Sequence, residues 1–555
     1  MLPLLAQLVA PPLQPGPIRL PGADQQRSLP VAPSPAGPQA PAPVQPAAPD
    51  ATASQPRLRG FNPYSAAELS RILADCSSNT NPEARLNLCA TALGSRLFAD
   101  GYINSRVIPQ PTPAPGALEV VPGKIETIQV VSSSQRLQRR LLRLLKSLQG
   151  SVLHLPTLTA KLTRIQQLPG VGLLKTNLNR IGEDSNRAEL LITVEPGHDP
   201  LRGELALRND GNGGSGQFRG LATLVKERAL VNGDTLLLFG EINTDSNPEI
   251  GSLNGSLSYS LPLFDRLSLT TAFGASRRTL VEAPPPLNDL SFRQLQLFSQ
   301  LEYTLLESLN DRLTVFGGLS VNRNDAYLSG ASIPAIVGGG DAGWLRTGFA
   351  RIGLAYDRST GTVAFTANLY GLQGIGAWST SAQRQELQFL GIEPDQARAL
   401  GSQLAASWWL APRWQLNLRA AGQLAFNPLT NPMGFSLGSD NGLRGLPGQV
   451  LSGDSGLLGT IDLAWLLWRG RQDALQLVPF IGNGQVWTEV PGATISESAG
   501  AGGMLLRWTR GRHGELELGW VRQFQSGSRA YWDQGFGGTG FNAKRVFRCS
   551  WPGRR

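Results

Sequence analysis

The sequence predicts an all-β transmembrane barrel of about 16 antiparallel strands, preceded by two small α+β domains. Strict alternation of apolar and polar residues, which is the pattern of β-strands, recurs from residue 200 to the end of the chain. Helical periodicity is concentrated in residues 57–196. No stretch has the run of about 18 apolar residues that a membrane-spanning helix needs. Strands are therefore expected to cross the membrane.

The first 56 residues have the composition of a leader and a linker. Residues 1–10 are apolar like the centre of a signal peptide but lack its basic start, and we interpret them as a possible signal-peptide remnant. Residues 11–56 hold 14 of the 40 prolines. Such a segment cannot bury a core and forms an extended tether, so we predict a proline-rich linker there.

Two α+β domains of the same plan are predicted at residues 57–123 and 124–196, each with the order strand, helix, helix, strand, strand. In the first domain, Asn81 and Pro82 form a typical N-cap and first helical position. In the second, the helix predicted over residues 135–149 combines a leucine stripe with a basic face. Because such a stripe packs well on a small sheet, we favour a core helix over one that lies on a membrane surface.

Residues 200–555 carry the barrel prediction. In the stretch GSLNGSLSYSLPL, residues 251–263, leucines occupy odd positions and serines occupy even ones. Other segments place charges such as Arg419, Glu515 and Glu517 on the polar face. Charges are costly in a dry core but stay hydrated beside a water-filled lumen. The polar face is therefore predicted to line a lumen, and the apolar face is predicted to contact lipid.

Composition and motifs argue against a nucleic-acid partner and against an enzyme. The net charge is +9 and the isoelectric point is about 9.8, but Lys and Arg form no dense cluster with aromatic residues. His154, His198 and His513 lie far apart in sequence, and no metal-binding, phosphate-binding or nucleophile motif occurs. We predict no catalytic residue, no metal site and no cofactor.

Cys76 and Cys89 lie close together in the first small domain. A disulfide between them across two short helices fits a protein of an oxidising periplasm. A pair of small core residues accounts for them equally well, so both interpretations stay open.

Short motifs in the two small domains carry a resemblance to a known family. The segments DGYINSRVIPQP and GALEVVPGKIETIQV contain Gly-Tyr, Pro-Gln and repeated-Gly elements, and LPGVGLLKTNL contains Pro-Gly-Val. Their order and spacing resemble the polypeptide-transport-associated (POTRA) domains of the two-partner secretion transporters, which export haemolysins and filamentous haemagglutinins across the outer membrane. The matching residues are Gly101, Tyr102, Pro109, Gln110, Gly123, Pro169, Gly170 and Val171.

The strongest match is FSLGSDNGLRGLPGQVLSGDSG, residues 435–456. The family's inward-folded loop carries a Val-Arg-Gly-Tyr/Phe tetrad, which here reads Leu443, Arg444, Gly445 and Leu446. The resemblance implies that Arg444 docks on an acidic partner inside the barrel and holds the loop as a plug. An arginine fork can bind a carboxylate bidentately, which suits this role. An exposed Gly-rich loop with an incidental arginine is the alternative.

The expected partner strand departs from the family's pattern. The family reads approximately Phe-x-Asp-x-Gly, but PFIGNGQVW places Gly482 at the position of the aspartate. Asn483 could accept a neutral hydrogen bond, and Asp454 or Asp462 could supply the carboxylate. The departure predicts a plug that opens more easily than in the family.

The resemblance implies a protein-translocation pore in the bacterial outer membrane, with its POTRA domains in the periplasm. We expect a monomer, surrounded by outer-membrane lipid, that binds one large haemolysin- or haemagglutinin-like partner through these domains and exports it. A barrel-assembly factor of the same superfamily is the alternative, and a passive porin or barrel enzyme is the alternative of another class. The pair of small domains favours secretion, because assembly factors tend to carry more of them and neither a porin nor a barrel enzyme needs any.

Overall fold

The computed structural model describes residues 56–551 apart from short gaps. The gaps are residues 78–80, 113–115, 167–170, 183, 197–200, 212–213, 232, 246–248, 282–288, 334–342, 512–513 and 527–538. The described residues form two compact units that divide at residue 199. The predicted signal-peptide remnant and the predicted linker, except its last residue, lie outside the described part of the chain.

The N-terminal unit contains two small α+β domains with the same sheet topology. The first has strands β1 (Arg57–Gly60), β2 (Arg106–Gln110) and β3 (Ala117–Val121) and helices α1 (Ala66–Ile72), α2 (Ala74–Ser77) and α3 (Pro82–Ala99). The second has strands β4 (Lys124–Ser132), β5 (Val171–Ile181) and β6 (Asp184–Pro196) and helices α4 (Gln135–Leu145) and α5 (Leu155–Gln166). In each sheet the last strand is central, parallel to the first strand and antiparallel to the second.

Helix α3 begins where the sequence predicts. The side chain of Asn81 accepts hydrogen bonds from two backbone N–H groups of the first turn, at 3.0 and 3.3 Å, and Pro82 occupies the first helical position. Of the two helices that the sequence predicts in the first domain, the earlier one, over residues 64–76, is instead divided into α1 and α2. Leu73, with φ −93° and ψ −1°, is the C-cap of α1 and separates it from α2.

The leucine stripe of helix α4 faces the interior of its domain. Leu137, Leu141, Leu144 and Leu145 are all buried, which is the core arrangement that the stripe predicts. No helix among the described residues is long and apolar enough to span a membrane.

The second unit is a closed antiparallel barrel, and 16 long strands form it within the described residues, as the sequence predicts. These strands are β7 (Leu201–Arg208), β8 (Phe218–Glu227), β9 (Thr235–Thr244), β10 (Ile250–Pro262), β11 (Leu267–Thr279), β12 (Leu290–Glu307), β13 (Asp311–Leu328), β15 (Trp344–Ser359), β16 (Val363–Gly374), β17 (Arg398–Ala411), β18 (Trp414–Ala425), β21 (Ser455–Arg469), β22 (Asp473–Val490), β23 (Ala493–Arg510), β24 (Gly514–Ser526) and β25 (Thr539–Trp551). The first strand, β7, pairs with the last, β25, and closes the barrel.

In the described connections of the barrel lie three short strands, one α-helix and three 3₁₀-helices of one turn each. Strand β14 (Ala331–Ser332) pairs with β13, and helix α6 (Ser381–Phe389) lies between β16 and β17. Strands β19 (Phe435–Leu437) and β20 (Leu451–Gly453) pair with each other between β18 and β21. This last connection is much longer than the two-residue turn at residues 412–413, between β17 and β18, and it forms the candidate site.

The barrel is apolar outside and polar inside. On β10, Leu253 is 55% exposed and Leu257 is 44% exposed, whereas Ser252 and Ser258 are buried at 3% and 9%. Each strand of a barrel alternates in this way because successive side chains point to opposite faces. The prediction that the leucine face of this stretch points away from the lumen is confirmed.

Candidate functional site

The connection between β18 and β21, residues 426–454, folds into the barrel and is called the inner loop. Leu443 and Leu446 of this loop are almost fully buried. They belong to one apolar cluster with Phe480, Ala501 and Val521, which lie on β22, β23 and β24. The inner loop therefore packs on the lumenal side of these strands.

The tip of the inner loop is a tight turn held by hydrogen bonds within the loop. The N–H of Leu443 donates to the carbonyl of Gly438 at 3.0 Å, and the side chain of Asn441 donates to the carbonyl of Ser436 at 2.7 Å. Gly445 has a φ of +79°, and a Cβ there would lie 2.4 Å from a methyl group of Val521. Only glycine allows both this backbone conformation and this close approach.

Arg444 reaches from the turn into a buried cluster of charges. Its Nη1 donates to both carboxylate oxygens of Glu517, at 2.9 and 3.2 Å, and its Nε lies 3.4 Å from Oδ2 of Asp462. Arg507 Nε also donates to Glu517, at 2.9 Å. We call Arg444, Asp462, Arg507 and Glu517 the Arg444 cluster. The partners of Arg444 are buried. Because charge-assisted hydrogen bonds are stronger than neutral ones, this cluster fixes the position of the turn.

The candidate partners of Arg444 have different positions in the structure. Asp462 lies within the Arg444 cluster. Asp454 does not contact Arg444, because its carboxylate accepts the backbone N–H groups of Leu429 and Glu489, both at 2.8 Å. Asp454 thus ties the base of the inner loop to β22.

Asn483 as a partner of Arg444 is a prediction that the geometry corrects. Asn483 is exposed on β22, between the buried Gly482 and Gly484, so its side chain points away from the lumen. A Cβ at Gly482 would lie 2.7 Å from Thr460 and 3.2 Å from Leu443. Thr460 of the neighbouring strand β21 and Leu443 of the inner loop therefore occupy the space that an aspartate side chain at this position would need.

Glu517 is the acidic partner that sequence reasoning missed. The sequence identified Glu517 only as one polar-face residue of a strand. Finding it as the partner requires knowing which strands are neighbours and in what register they pair. The observed register places Glu517 of β24 directly opposite Arg507 of β23. Because Glu517 supplies a carboxylate to Arg444, the expectation that Gly482 gives a more easily opened plug no longer follows.

Three motif residues of the small domains, Gly101, Tyr102 and Gly123, lie where the two domains join. The backbone N–H of Leu155 donates to the carbonyl of Gly101 at 2.9 Å, and that of Leu153 donates to Gly123 at 2.7 Å. The rings of Tyr102 and His154 lie 4.7 Å apart. Gly101, Tyr102 and Gly123 thus connect the first domain to the first residue of α5 and to the segment before it.

The other motif residues lie apart from this junction. Pro109 and Gln110 end strand β2, where Gln110 donates to Glu119. Val171 begins β5, and the predicted motif residues Pro169 and Gly170 lie outside the described residues.

The two cysteines of the first domain form a disulfide. Cys76 on α2 is bonded to Cys89 on α3, and both side chains are buried in the core of that domain. In the described part of the chain, no group of three or more His, Cys, Asp or Glu side chains is arranged to hold a metal ion.

Comparison with known proteins gives one family and a set of similar folds. A family model described as haemolysin secretion/activation protein ShlB/FhaC/HecB matches residues 186–504. Among solved structures, CdiB from Escherichia coli is 16% identical with a TM-score of 0.56, over 92% of this chain and 93% of that chain. CdiB from Acinetobacter baumannii is 15% identical with a TM-score of 0.52, over 91% of both chains. No curated protein matches by sequence.

Proposed function

Because the chain belongs to the haemolysin secretion/activation protein family, and is therefore an outer-membrane secretion transporter, we propose that it exports one large secreted partner protein. The proposed partner is haemolysin- or haemagglutinin-like and passes through the barrel from the periplasm to the cell surface. The observation that carries this proposal is the inner loop, which occupies the polar lumen and is anchored there by Arg444. A pore closed by a movable segment is what the export of a polypeptide requires.

The inner loop acts as a plug in this proposal. Its apolar residues and the Arg444 cluster hold it on β21–β24 while no partner is present. When a partner enters, the loop withdraws, and the water of the lumen can hydrate the separated charges. The polar side chains that line the lumen then face an extended polypeptide without binding any one sequence tightly. Folding of the partner outside the cell supplies the direction of transport.

Residues 57–123 and 124–196 are proposed as two periplasmic POTRA domains that bind the partner. Strand β5 supports this role, because it lies at the edge of its sheet in the order β4-β6-β5 and is 11 residues long. An exposed edge presents unpaired backbone groups to which an extended peptide can add as a further strand. Leu173 and Leu178 on β5 are exposed and offer apolar contacts to such a peptide.

The test is to compare a deletion strain with its parent by mass spectrometry of the secreted proteins and of the outer membrane. Loss of one large secreted protein, with other outer-membrane barrels unchanged, is the expected result. A broad decrease in other barrels would overturn the proposal and indicate an assembly factor. No change in either fraction would also contradict it.

A further inference from the structure

The inner loop contacts the barrel wall at a second place, distinct from the Arg444 cluster. Asp440, on the loop tip, accepts a bond from Nη2 of Arg219 at 2.7 Å. Arg219 lies on β8, its side chain is only 4% exposed, and it donates bidentately to Glu241 on β9 at 2.8 and 2.9 Å. A guanidinium held in this way by a neighbouring strand is a preorganised site for a further carboxylate.

Asp210, which follows β7, strengthens this second contact. The hydroxyl of Ser439 donates to Oδ2 of Asp210 at 2.8 Å, and the backbone N–H of Gly448 donates to the carbonyl of Asp210 at 2.8 Å. Arg208 also pairs with Asp210. The loop tip therefore makes one ion pair with Arg219, hydrogen bonds through Ser439 with the charged side chains of Arg208 and Asp210, and one backbone hydrogen bond with Asp210, all where the barrel begins.

The two contacts lie on different parts of the barrel wall. The closed strand order runs β21-β22-β23-β24-β25-β7-β8-β9, so the Arg444 cluster and Arg219 lie on either side of the β25–β7 pairing. Asp440 and Arg444 nevertheless belong to one turn, in which the N–H of Asp440 donates to the carbonyl of Gly448 at 3.0 Å. Because the turn is rigid, the loop tip cannot leave the lumen without breaking both contacts.

We propose that Arg219 is a second positioning residue of the inner loop, acting through Asp440, and that the plug is released only when the Asp440–Arg219 and Arg444 contacts are both broken. This inference rests on the proposed role of the loop as a plug. Each contact alone keeps the loop near its docked position, so losing one contact raises the open-state probability of the pore only slightly and losing both raises it strongly.

The test is single-channel recording of the purified full-length protein in planar phosphatidylcholine bilayers. The variants are Asp440→Ala, Arg444→Ala and the double variant, with Asp440→Glu as the conservative replacement. Glu393→Ala is the matched control, because Glu393 is an exposed carboxylate in another long connection of the barrel. Unchanged heat-dependent gel mobility shows that each variant has folded.

The expected result is a modest rise in the open-state probability for Asp440→Ala, and a rise for the double variant that exceeds the product of the single effects. The loss of a charge-assisted hydrogen bond predicts a rise of about tenfold in the open-state probability for each contact once the other contact is absent. Asp440→Glu and Glu393→Ala behave like the unaltered protein. These four results together support the second contact.

Two other results would overturn the inference and are distinguishable from each other. In the first, Asp440→Ala has the open-state probability of the unaltered protein and the double variant has that of Arg444→Ala. Arg219 then does not position the loop, although the loop can still act as a plug. In the second, neither Arg444→Ala nor the double variant changes the open-state probability. The proposed plug role of the loop is then wrong, and so is this inference.

Discussion

At the scale of single residues, Arg444 holds the inner loop in its docked position. Its guanidinium makes two hydrogen bonds to Glu517 within the lumen. The loss of hydrogen bonds to a charged group costs about 1.5–3 kcal/mol, and here that free energy stabilises the docked loop. Arg444→Ala is therefore expected to impair export while the barrel still assembles, because the Asp440–Arg219 contact still keeps the loop near its docked position but the turn loses the contact that fixes it against β24.

Export of the partner into the medium is the measurement, with barrel assembly followed by heat-dependent gel mobility. Arg358→Ala is the matched control, since Arg358 also pairs with a carboxylate, Asp311, but is half exposed on β15, where such a pair contributes little. Unreduced export by Arg444→Ala would remove the arginine from the mechanism.

Gly445 provides a second prediction at the residue scale. In Gly445→Ala, the new methyl group would lie 2.4 Å from Val521 and 3.2 Å from Ala501, so the turn cannot dock without displacing β23 and β24 side chains. Export is expected to fall about as far as in Arg444→Ala.

Gly492→Ala separates this steric effect from backbone strain. Gly492 has a similar φ of +82°, but nothing lies within 4 Å of its Cβ position, so this variant should export normally. If Gly445→Ala and Gly492→Ala export the partner to the same extent in the same assay, close packing of the turn does not limit docking.

The site was predictable from the sequence only in part, and the reason is register. The tetrad at residues 443–446 and the carboxylate of Asp462 can be identified from motifs and charge. Glu517 could not be, because its contact with Arg444 joins residues 73 positions apart across strands whose alignment no local pattern specifies. Asn483 was a wrong partner for the same reason: a shift of one residue along a strand moves a side chain to the opposite face.

At the scale of elements, the disulfide Cys76–Cys89 joins the four-residue helix α2 to the 18-residue helix α3. Closing a loop of this length stabilises a fold by about 2–3 kcal/mol. Replacing both cysteines by alanine is therefore expected to lower the hydrogen-exchange protection of α2 and α3 in the full-length protein.

The second small domain serves as the internal control for that experiment, because helix α4 lies in a separate core and its protection should stay unchanged. Equal protection of α2 and α3 with and without the two cysteines would contradict the prediction.

The exposed edge of β5 gives a prediction about partner binding. A photo-crosslinking residue at Asn177, on this edge strand, is expected to form an adduct with the secreted partner in cells. The same residue at Gln149, which is also exposed but lies beyond α4, should form none. Adducts from Gln149 alone would place the partner elsewhere on the domain.

Secondary structure was more predictable than topology. Asn81, Pro82 and the leucine stripe determine where helices begin and which face is buried, since these signals are local. The division at Leu73 was missed because it depends on one backbone conformation within a helical pattern. Alternation predicted the barrel strands, but the inward path of the inner loop followed from the resemblance, not from periodicity.

At the scale of the whole barrel, the alternation of polar and apolar side chains separates the lumen from the lipid. Strand β12 shows this separation in adjacent residues: Gln296 is 6% exposed and hydrogen-bonds to Ser320, whereas Leu297 is 51% exposed on the outer face. A polypeptide that passes through the lumen must therefore contact Gln296 and cannot contact Leu297.

The most direct test of the account is therefore to place a photo-crosslinking residue at Gln296 or at Leu297 and to irradiate cells during secretion. The account predicts an adduct between the barrel and its secreted partner from position 296, and none from position 297. Adducts of the partner from position 297 only, or none from position 296 while secretion proceeds, would contradict export through this lumen.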